Sequence, residues 1–153
     1  MTFAIAGYGV RRGSPRDRGL LVQFLSQTHQ EIAGTQGSHH LAATVDRHLS
    51  DQTPLWWVDT QPPAATPIAC LWLGNAIDQH HGDRHSYVLV LYVAPEHRRR
   101  GIATALLTTA QAWAKARGDR QIALQVLADN PGAIALYRQL GYQTHTLWLT
   151  KPL

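Results

Sequence analysis

Apolar positions along this chain recur at two spacings, and the changes from one to the other predict its elements. Tyr8 to Arg12 reads as a first strand. Pro15 opens a helix in which Leu20, Leu21, Phe24 and Leu25 recur to about His29. Gly34 and Gly37 break that pattern, and a second helix runs from about Ser38 to Leu49 with Leu41, Val45 and Leu49 on one face. Leu55 to Asp59 and Ile68 to Ala76 read as strands joined by the proline-rich stretch Gln61 to Pro67, and Asp78 to Arg84 reads as a polar loop. Tyr87 to Val93 is an unbroken apolar run rich in β-branched and aromatic residues, the pattern of a strand covered on both faces. A long helix follows with Ile102, Leu106, Thr109 and Trp113 at helical spacing, then a strand from Gln121 to Leu127. A short helix comes next, with Asn130 as N-cap, Pro131 at its first position and Gly141 as the left-handed residue past its end. Gln143 to Thr150 reads as a last strand, completing the order βααβββαβαβ with no repeat or linker.

The turn between the Tyr87 strand and the long helix carries the most chemistry: Ala94-Pro95-Glu96-His97-Arg98-Arg99-Arg100-Gly101. A strand entering a helix through such a turn leaves the first-turn N–H groups without intrahelical partners, at the positive end of the helix dipole. Gly101 allows close approach to the backbone, and guanidinium groups add bidentate donors, so the turn reads as a cradle for phosphate or pyrophosphate. It is not a P-loop, because the chain has no Gly-Lys-Ser/Thr tripeptide. It is not the dinucleotide fingerprint, because Gly101 is the only glycine in the turn. The residues Arg98-x-x-Gly101-x-Ala103 do match the Arg/Gln-x-x-Gly-x-Gly/Ala signature, and there the chain resembles the GNAT superfamily of acyl-CoA N-acyltransferases. A second segment strengthens the likeness: Asn130, Ala133, Leu136, Tyr137, Gly141 and Tyr142 are similar to the family's Asn, Ala-x-x-Leu-Tyr and Gly-Tyr/Phe positions.

The resemblance implies one N-acetyltransferase domain over residues 1–153 with an α/β (α+β) GNAT fold. It implies a mixed central sheet of about six strands with four helices, splayed between the fourth and fifth strands. It implies acetyl-CoA as cosubstrate, with pantetheine lying in the splay against the main chain of Leu91, Tyr92 and Val93, where a backbone N–H polarises the thioester carbonyl. Arg98, Arg99, Arg100, Gly101, Ile102 and Ala103 would hold the pyrophosphate. Tyr137 would protonate the departing thiolate as general acid; a core aromatic bonded to a backbone carbonyl is the structural alternative. Asn130 and Ala133 would lie along the pantetheine arm, although capping alone explains Asn130. The reaction implied is direct attack by a primary amine in a ternary complex. The alternative is a noncatalytic acyl-CoA-binding or sensing module on the same fold.

Composition narrows the partners. Hydrophobic content of 44% with 16% charged residues in 153 residues is that of a globular domain. The single cysteine, Cys70, excludes an intrachain disulfide, sits in an apolar run as an inert thiol, and fits a reducing cytoplasm. No stretch has the length of a membrane span, and the start carries no signal-peptide pattern. The net charge of +4 comes from dispersed basic residues around Arg11 to Arg18 and Arg98 to Arg100, which argues for a phosphate-bearing cofactor and against nucleic acid. Among the nine histidines, His39-His40, His80-His81 and His85 read as solvated loop residues without ligand spacing, so no metal is expected. Trp56, Trp57, Trp72 and Trp148 read as core or sheet-face residues, with Trp56 or Trp57 free to line a substrate slot.

In one respect the chain departs from its relatives. Many carry an acidic residue on the central strand just before the position of Leu91, whereas here the residues are Val88-Leu89-Val90. Glu96 beside three arginines reads as an ion-pairing or capping residue and His97 as a loop residue. Deprotonation then runs through water or the amine arrives neutral, unless a carboxylate from the first half, such as Glu31, reaches the cleft. The missing acid also argues against a polyamine acceptor. A small amine and a peptide amine both stay open as acceptors, and so does a homodimer.

Overall fold

The computed structural model describes residues 3–33 and 39–153. The break at Gly34 and Gly37, and the start of the second helix at Ser38, fall outside the described residues. Strand β1 (Tyr8–Arg12) leads to a one-turn 3-10 helix, Pro15–Asp17. Ser14 and Asp17 close a reciprocal capping box there, which fixes the entry into helix α1 (Arg18–Ala33). Helix α2 (His39–His48), strands β2 (Leu55–Thr60), β3 (Ala69–Ile77) and β4 (Arg84–Val93), helix α3 (Ile102–Arg117), strand β5 (Ile122–Ala123) and helix α4 (Pro131–Gln139) complete the chain. The sheet runs in sequence order, β1 to β5, with every pair antiparallel except β4 and β5.

Two hydrophobic clusters lie on the two faces of this sheet, as the unbroken apolar run of β4 requires. On the α3 face, Leu71, Leu73 and Val88 pack with Ile102, Leu106 and Leu107. On the α1 and α2 face, Cys70, Trp72, Val90 and Tyr92 pack with Leu21, Phe24 and Val45. The adjacent tryptophans divide between them, Trp56 to the first and Trp57 to the second, and both are buried.

The ladder between β3 and β4 slips where it matters most. Trp72 pairs with Val90 but Leu73 pairs with Val88, so Leu89 is an extra residue in β4. Such a bulge bends its strand and sharpens the local twist. Gly74 makes room for it, since a Cβ there would sit 2.7 Å from Leu89 Cδ1. The parallel pairing of β4 with β5 covers only Ser86↔Ile122 and Tyr87↔Ala123, and it ends at the bulge. The sheet is therefore splayed between its fourth and fifth strands.

Among the described residues the sheet has five strands, not six, and the differences cluster at its far edge. Of the strand anticipated over Gln121 to Leu127, only Ile122–Ala123 is paired. With so short a ladder beside it, the segment Gln143 to Thr150 joins no sheet, and Leu147, Trp148 and Leu149 are 80, 80 and 88% exposed. Trp148 is thus a surface residue, contrary to the apolar pattern around it. At the other end β4 starts at Arg84, so His85 is a buried strand residue whose Nδ1 bonds the Ser86 carbonyl, not a solvated loop histidine. Helix α1 also runs a turn past His29 to Ala33.

The C-terminal end of α3 is pinned to the sheet by a polar knot. Asp119, its side chain only 2% exposed, accepts from Arg117 at 2.6 Å and from the buried Ser86 hydroxyl. Arg117 also donates to Asn75 at 2.7 Å and lies over the Trp113 ring. Burial raises the Asp119 carboxyl, but the bonds from Arg117 and Ser86 outweigh it and the net shift is downward. A depressed native value means this stabilisation is complete above the ordinary Asp range, about 3.9, and is lost as the pH falls through the lower native value. Asp119→Ala should cost about 3 kcal/mol at pH 7, because it strands the Arg117 charge. Urea unfolding at pH 7 and at successively lower pH should show that cost shrinking as the pH falls below the ordinary Asp range.

Candidate active site

Among the described residues, the edge of β4 that faces β5 has no ladder partner beyond Tyr87, so the main chain of Val88 to Val93 is unpaired on that side. Alternation past the bulge sorts the side chains. Leu91 and Val93 turn to the α3 cluster and Tyr92 to the α1 cluster, which leaves backbone groups as the chemistry available on that edge.

The turn after β4 is built on two left-handed residues. Pro95–His97 forms a 3-10 turn closed by Arg98 N–H on the Pro95 carbonyl at 3.3 Å. Arg99 then has φ 63° and Gly101 φ 82°, and α3 begins at Ile102. A non-glycine residue held at positive φ costs on the order of 1–3 kcal/mol and is typical of ligand-binding turns. The first bond of α3 runs from Ala105 N–H to the Gly101 carbonyl at 3.0 Å. The N–H groups of Ile102, Ala103 and Thr104 therefore have no intrahelical acceptor. A Cβ built on Gly101 would meet nothing within 4 Å, so the space over the helix terminus is open to a ligand. Ile102 itself is a core side chain and can offer only its N–H.

The three arginines are not equivalent. Arg98 turns back from the turn, donating through Nε to the Val93 carbonyl at 2.8 Å and through Nη2 to Glu31 Oε2 at 2.6 Å. Arg100 donates to Tyr8 Oη at 3.1 Å. Among the described residues, the Arg99 guanidinium has no hydrogen bond or ion pair. The free cation at the terminus is thus Arg99.

Glu31, from the last turn of α1, reaches the end of β4. Its Oε1 accepts the Tyr92 hydroxyl at 2.7 Å while Oε2 takes Arg98, whose guanidinium also lies over the Tyr92 ring. Partial burial raises the Glu31 carboxyl, but its bonds to Arg98 and Tyr92 prevail and it titrates below the ordinary range. Burial and the Glu31 bond push Tyr92 up to about 12, so it stays a donor. Among the described residues Glu96 makes no ion pair and no side-chain cap, unlike the reading from its arginine neighbours; its carbonyl accepts from Arg100 at 3.4 Å. His97 Nδ1 meets Tyr8 Oη at 2.8 Å, and the same hydroxyl oxygen accepts from Arg100. Neither the Glu31–Tyr92–Arg98 triad nor the Arg100–Tyr8–His97 chain has a sequence motif. The one signal is alternation, which turns Tyr92 away from Leu91 and Val93 and toward α1.

Helix α4 packs its Leu136 and Tyr137 against the α3-face cluster. Tyr137 meets the Tyr142 ring edge-on at 5.8 Å, and burial raises its hydroxyl. Among the described residues, that hydroxyl has no hydrogen-bond partner. Asn130 caps α4, accepting Ala133 N–H at 3.2 Å, so both residues are engaged in the cap. Cys70 is fully buried and its thiol is raised by burial, out of reach of nucleophilic work. Among the described residues, no three His, Cys, Asp or Glu side chains group as metal ligands.

Gly101 is the residue this geometry can least change. Gly101→Val puts a β-branched side chain at φ 82° and into the open space over the helix terminus. It should lower the melting temperature by about 4–8 °C for a strain near 2 kcal/mol. Inorganic pyrophosphate should stabilise the native protein in thermal melts and leave this variant unmoved.

A family model described as the acetyltransferase (GNAT) family matches residues 22–142. An uncharacterised N-acetyltransferase of Methanocaldococcus jannaschii is 35% identical over 86 residues, which are 56% of this chain and 36% of that protein. An aminoglycoside N(6')-acetyltransferase type 1 of Acinetobacter haemolyticus is 42% identical over 53 residues, 35% of this chain and 37% of that one. The chain thus spans little more than a third of the length of these curated relatives. A putative acetyl transferase from Pyrococcus furiosus superposes with a TM-score of 0.82 at 21% identity, covering 95% of this chain and 99% of that one. A predicted acetyltransferase from Clostridium acetobutylicum, solved with acetyl-CoA, superposes with a TM-score of 0.76 at 20% identity, covering 95% and 96%.

Proposed function

The chain belongs to the GNAT acetyltransferase family, and from that premise we propose that it transfers an acetyl group from acetyl-CoA to a primary amine. The observation that carries the reading is the joining of an open anion-binding helix terminus to a strand edge freed by a bulge. That pairing suits a long ligand with a pyrophosphate at one end and amide groups along its arm. The acetyl-CoA bound to the similar Clostridium protein supports it.

In this reading the N–H groups of Ile102 and Ala103, with Arg99, hold the pyrophosphate over Gly101. Arg98 and Arg100 shape the turn through their bonds to Val93, Glu31 and Tyr8. The main chain of Leu91, Tyr92 and Val93 takes the pantetheine amides, and a strand N–H there polarises the thioester carbonyl. The amine nitrogen attacks that carbonyl carbon, the C–N bond forms, the C–S bond breaks, and the sulfur leaves with the electron pair. Tyr137 supplies its proton to the sulfur and is restored by the proton that the nitrogen sheds as the amide forms: the hydroxyl is raised, hence protonated at neutral pH, and among the described residues it has no hydrogen-bond partner to give up. Asn130 and Ala133 serve the α4 cap and stay outside the chemistry. Glu31 is a poor base, because Arg98 and Tyr92 occupy both of its oxygens and lower its affinity for a proton. The amine therefore loses its proton to water before attack.

Acetyl-CoA should raise the melting temperature by about 5–10 °C at a hundredfold excess over its dissociation constant, and acetyl-pantetheine, without the pyrophosphate, should not. Thiol release from acetyl-CoA across a panel of amines tests the transfer itself; binding without release from any amine would leave a sensing module. Tyr137→Phe should cut kcat about 10²-fold with acetyl-CoA affinity unchanged, and a stability loss at constant rate would make the tyrosine structural.

The missing base has its own signature. With amines of different basicity, log rate against pH should rise with a midpoint that follows each amine's pKa. Glu96→Gln should leave that midpoint where it is. A midpoint fixed across amines and abolished by Glu96→Gln or His97→Ala would identify an enzyme base at the turn.

A further inference from the structure

The last segment of the chain lies bare on both faces. From Tyr142 to Leu153 it has no helix, turn or bend, and every residue from Gln143 onward is exposed. Its root is held, because Tyr142 packs against the α3-face cluster and the His145 ring meets His80 edge-on at 6.2 Å. Beyond that point Leu147, Trp148 and Leu149 are 80, 80 and 88% exposed. Successive side chains of an extended segment point to opposite sides, so an arm resting on its own domain would hide either Trp148 or the two leucines. Neither is hidden. The three residues present roughly 400–500 Å² of mostly apolar surface, as much as the largest patch on an ordinary monomer.

The edge of the sheet is bare as well. β5 is its last strand, so among the described residues the outer edge of β5 has no ladder partner, and its ladder with β4 stops at Ala123. Just beyond, Val126 and Leu127 are 38 and 53% exposed, and after Ala114 no described residue is buried. Ile122, Leu124, Leu136 and Leu140 touch the α3-face core but are only partly covered by it. Edge strands of monomeric proteins are usually guarded by charges, prolines or bulges against pairing with another chain. Neither stretch here is guarded: Gln121 to Leu127 and Gln143 to Thr150 hold no Asp, Glu, Lys, Arg or Pro. The first such residues past the arm are Lys151 and Pro152, which end it.

We propose that two copies of this chain exchange these arms, each laying Gln143 to Thr150 along the free edge of the other's β5. One chain carries both halves of the contact without joining them, and a two-fold pair satisfies such an arrangement twice. A peptide from another protein would cover the edge and leave the arm itself bare; a second copy covers both. Neither stretch is charged, so no like charges oppose the approach. At the rise of a strand the arm is about 26 Å long, enough to follow all of Gln121 to Leu127. Burying most of the arm and the matching surface of the edge, twice over, amounts to about 1,200–1,800 Å², the size of a stable protein interface. The exchange supplies each sheet with a sixth strand and stands apart from the transfer reaction.

Sedimentation, thermal melts and hydrogen exchange of the full chain test it. The protein should sediment at twice the chain mass at micromolar concentration, with a melting temperature that rises with protein concentration. The amides of Gln125 to Leu127 and of Leu147 to Thr150 should be protected together. Trp148→Glu changes a residue that is 80% exposed, so the fold of the single chain should stand. It should raise the dimer dissociation constant by about 30-fold or more, the scale of a lost interface tryptophan, and release both sets of amides. Leu149→Glu should act in the same direction. A chain that stays monomeric at submillimolar concentration, including one whose arm is protected by folding back on its own β5, would overturn the exchange. So would a dimer that survives both variants, or one whose arm amides exchange freely.

Discussion

One extra residue in β4 organises the functional half of this molecule. Leu89 has no partner across the β3 ladder, and the strand bends where it is inserted. Before the bulge, β4 is an ordinary central strand, paired on both sides at Ser86 and Tyr87. After it, the strand keeps β3 and leaves β5, so one edge of backbone groups is unpaired within a folded domain. Unpaired backbone amides need partners, and along that edge a ligand can provide them. The bulge itself depends on Gly74, where any side chain would collide with Leu89.

The elements built on strong periodicity were legible in the residues. Leu41 and Val45 fall where the pattern of the second helix puts them, and Tyr87 to Val93 is covered on both faces as its composition requires. Punctuation was equally readable, because Asn130, Pro131 and Gly141 each act through local backbone geometry. Pattern failed at the far edge of the sheet. Leu147, Trp148 and Leu149 have the composition of a strand, but pairing is a property of two segments, and no single segment's pattern says whether its neighbour is long enough to pair. The bulge was invisible for a related reason: Leu89 is one apolar residue among the seven of an unbroken run.

The candidate site divides along the same line. Gly101 and the helix terminus follow from local sequence, so their places agree with expectation. Long flexible side chains do not. Three consecutive arginines look interchangeable on paper, yet their fates are set by partners far away in sequence. Glu31 lies 67 residues before Arg98, and Tyr8 lies 92 residues before Arg100. Glu96 shows the converse, since three neighbouring arginines did not make it an ion-pair partner. Backbone geometry was predictable from neighbours; side-chain pairing depended on the tertiary fold.

The division of labour around β4 is in the end a consequence of strand geometry. Successive side chains point to opposite faces and the backbone groups point sideways, so three residues can serve three surroundings at once. Leu91 and Val93 fill the core under α3, Tyr92 anchors Glu31 on the α1 face, and the edge between them stays free. A carboxylate in place of Val88 would have to sit in the α3-face core, and one in place of Val90 in the α1-face core. Either would need a buried partner that those clusters of aliphatic and aromatic side chains do not supply. The absence of an acid on this strand is therefore tied to how completely both of its faces are covered.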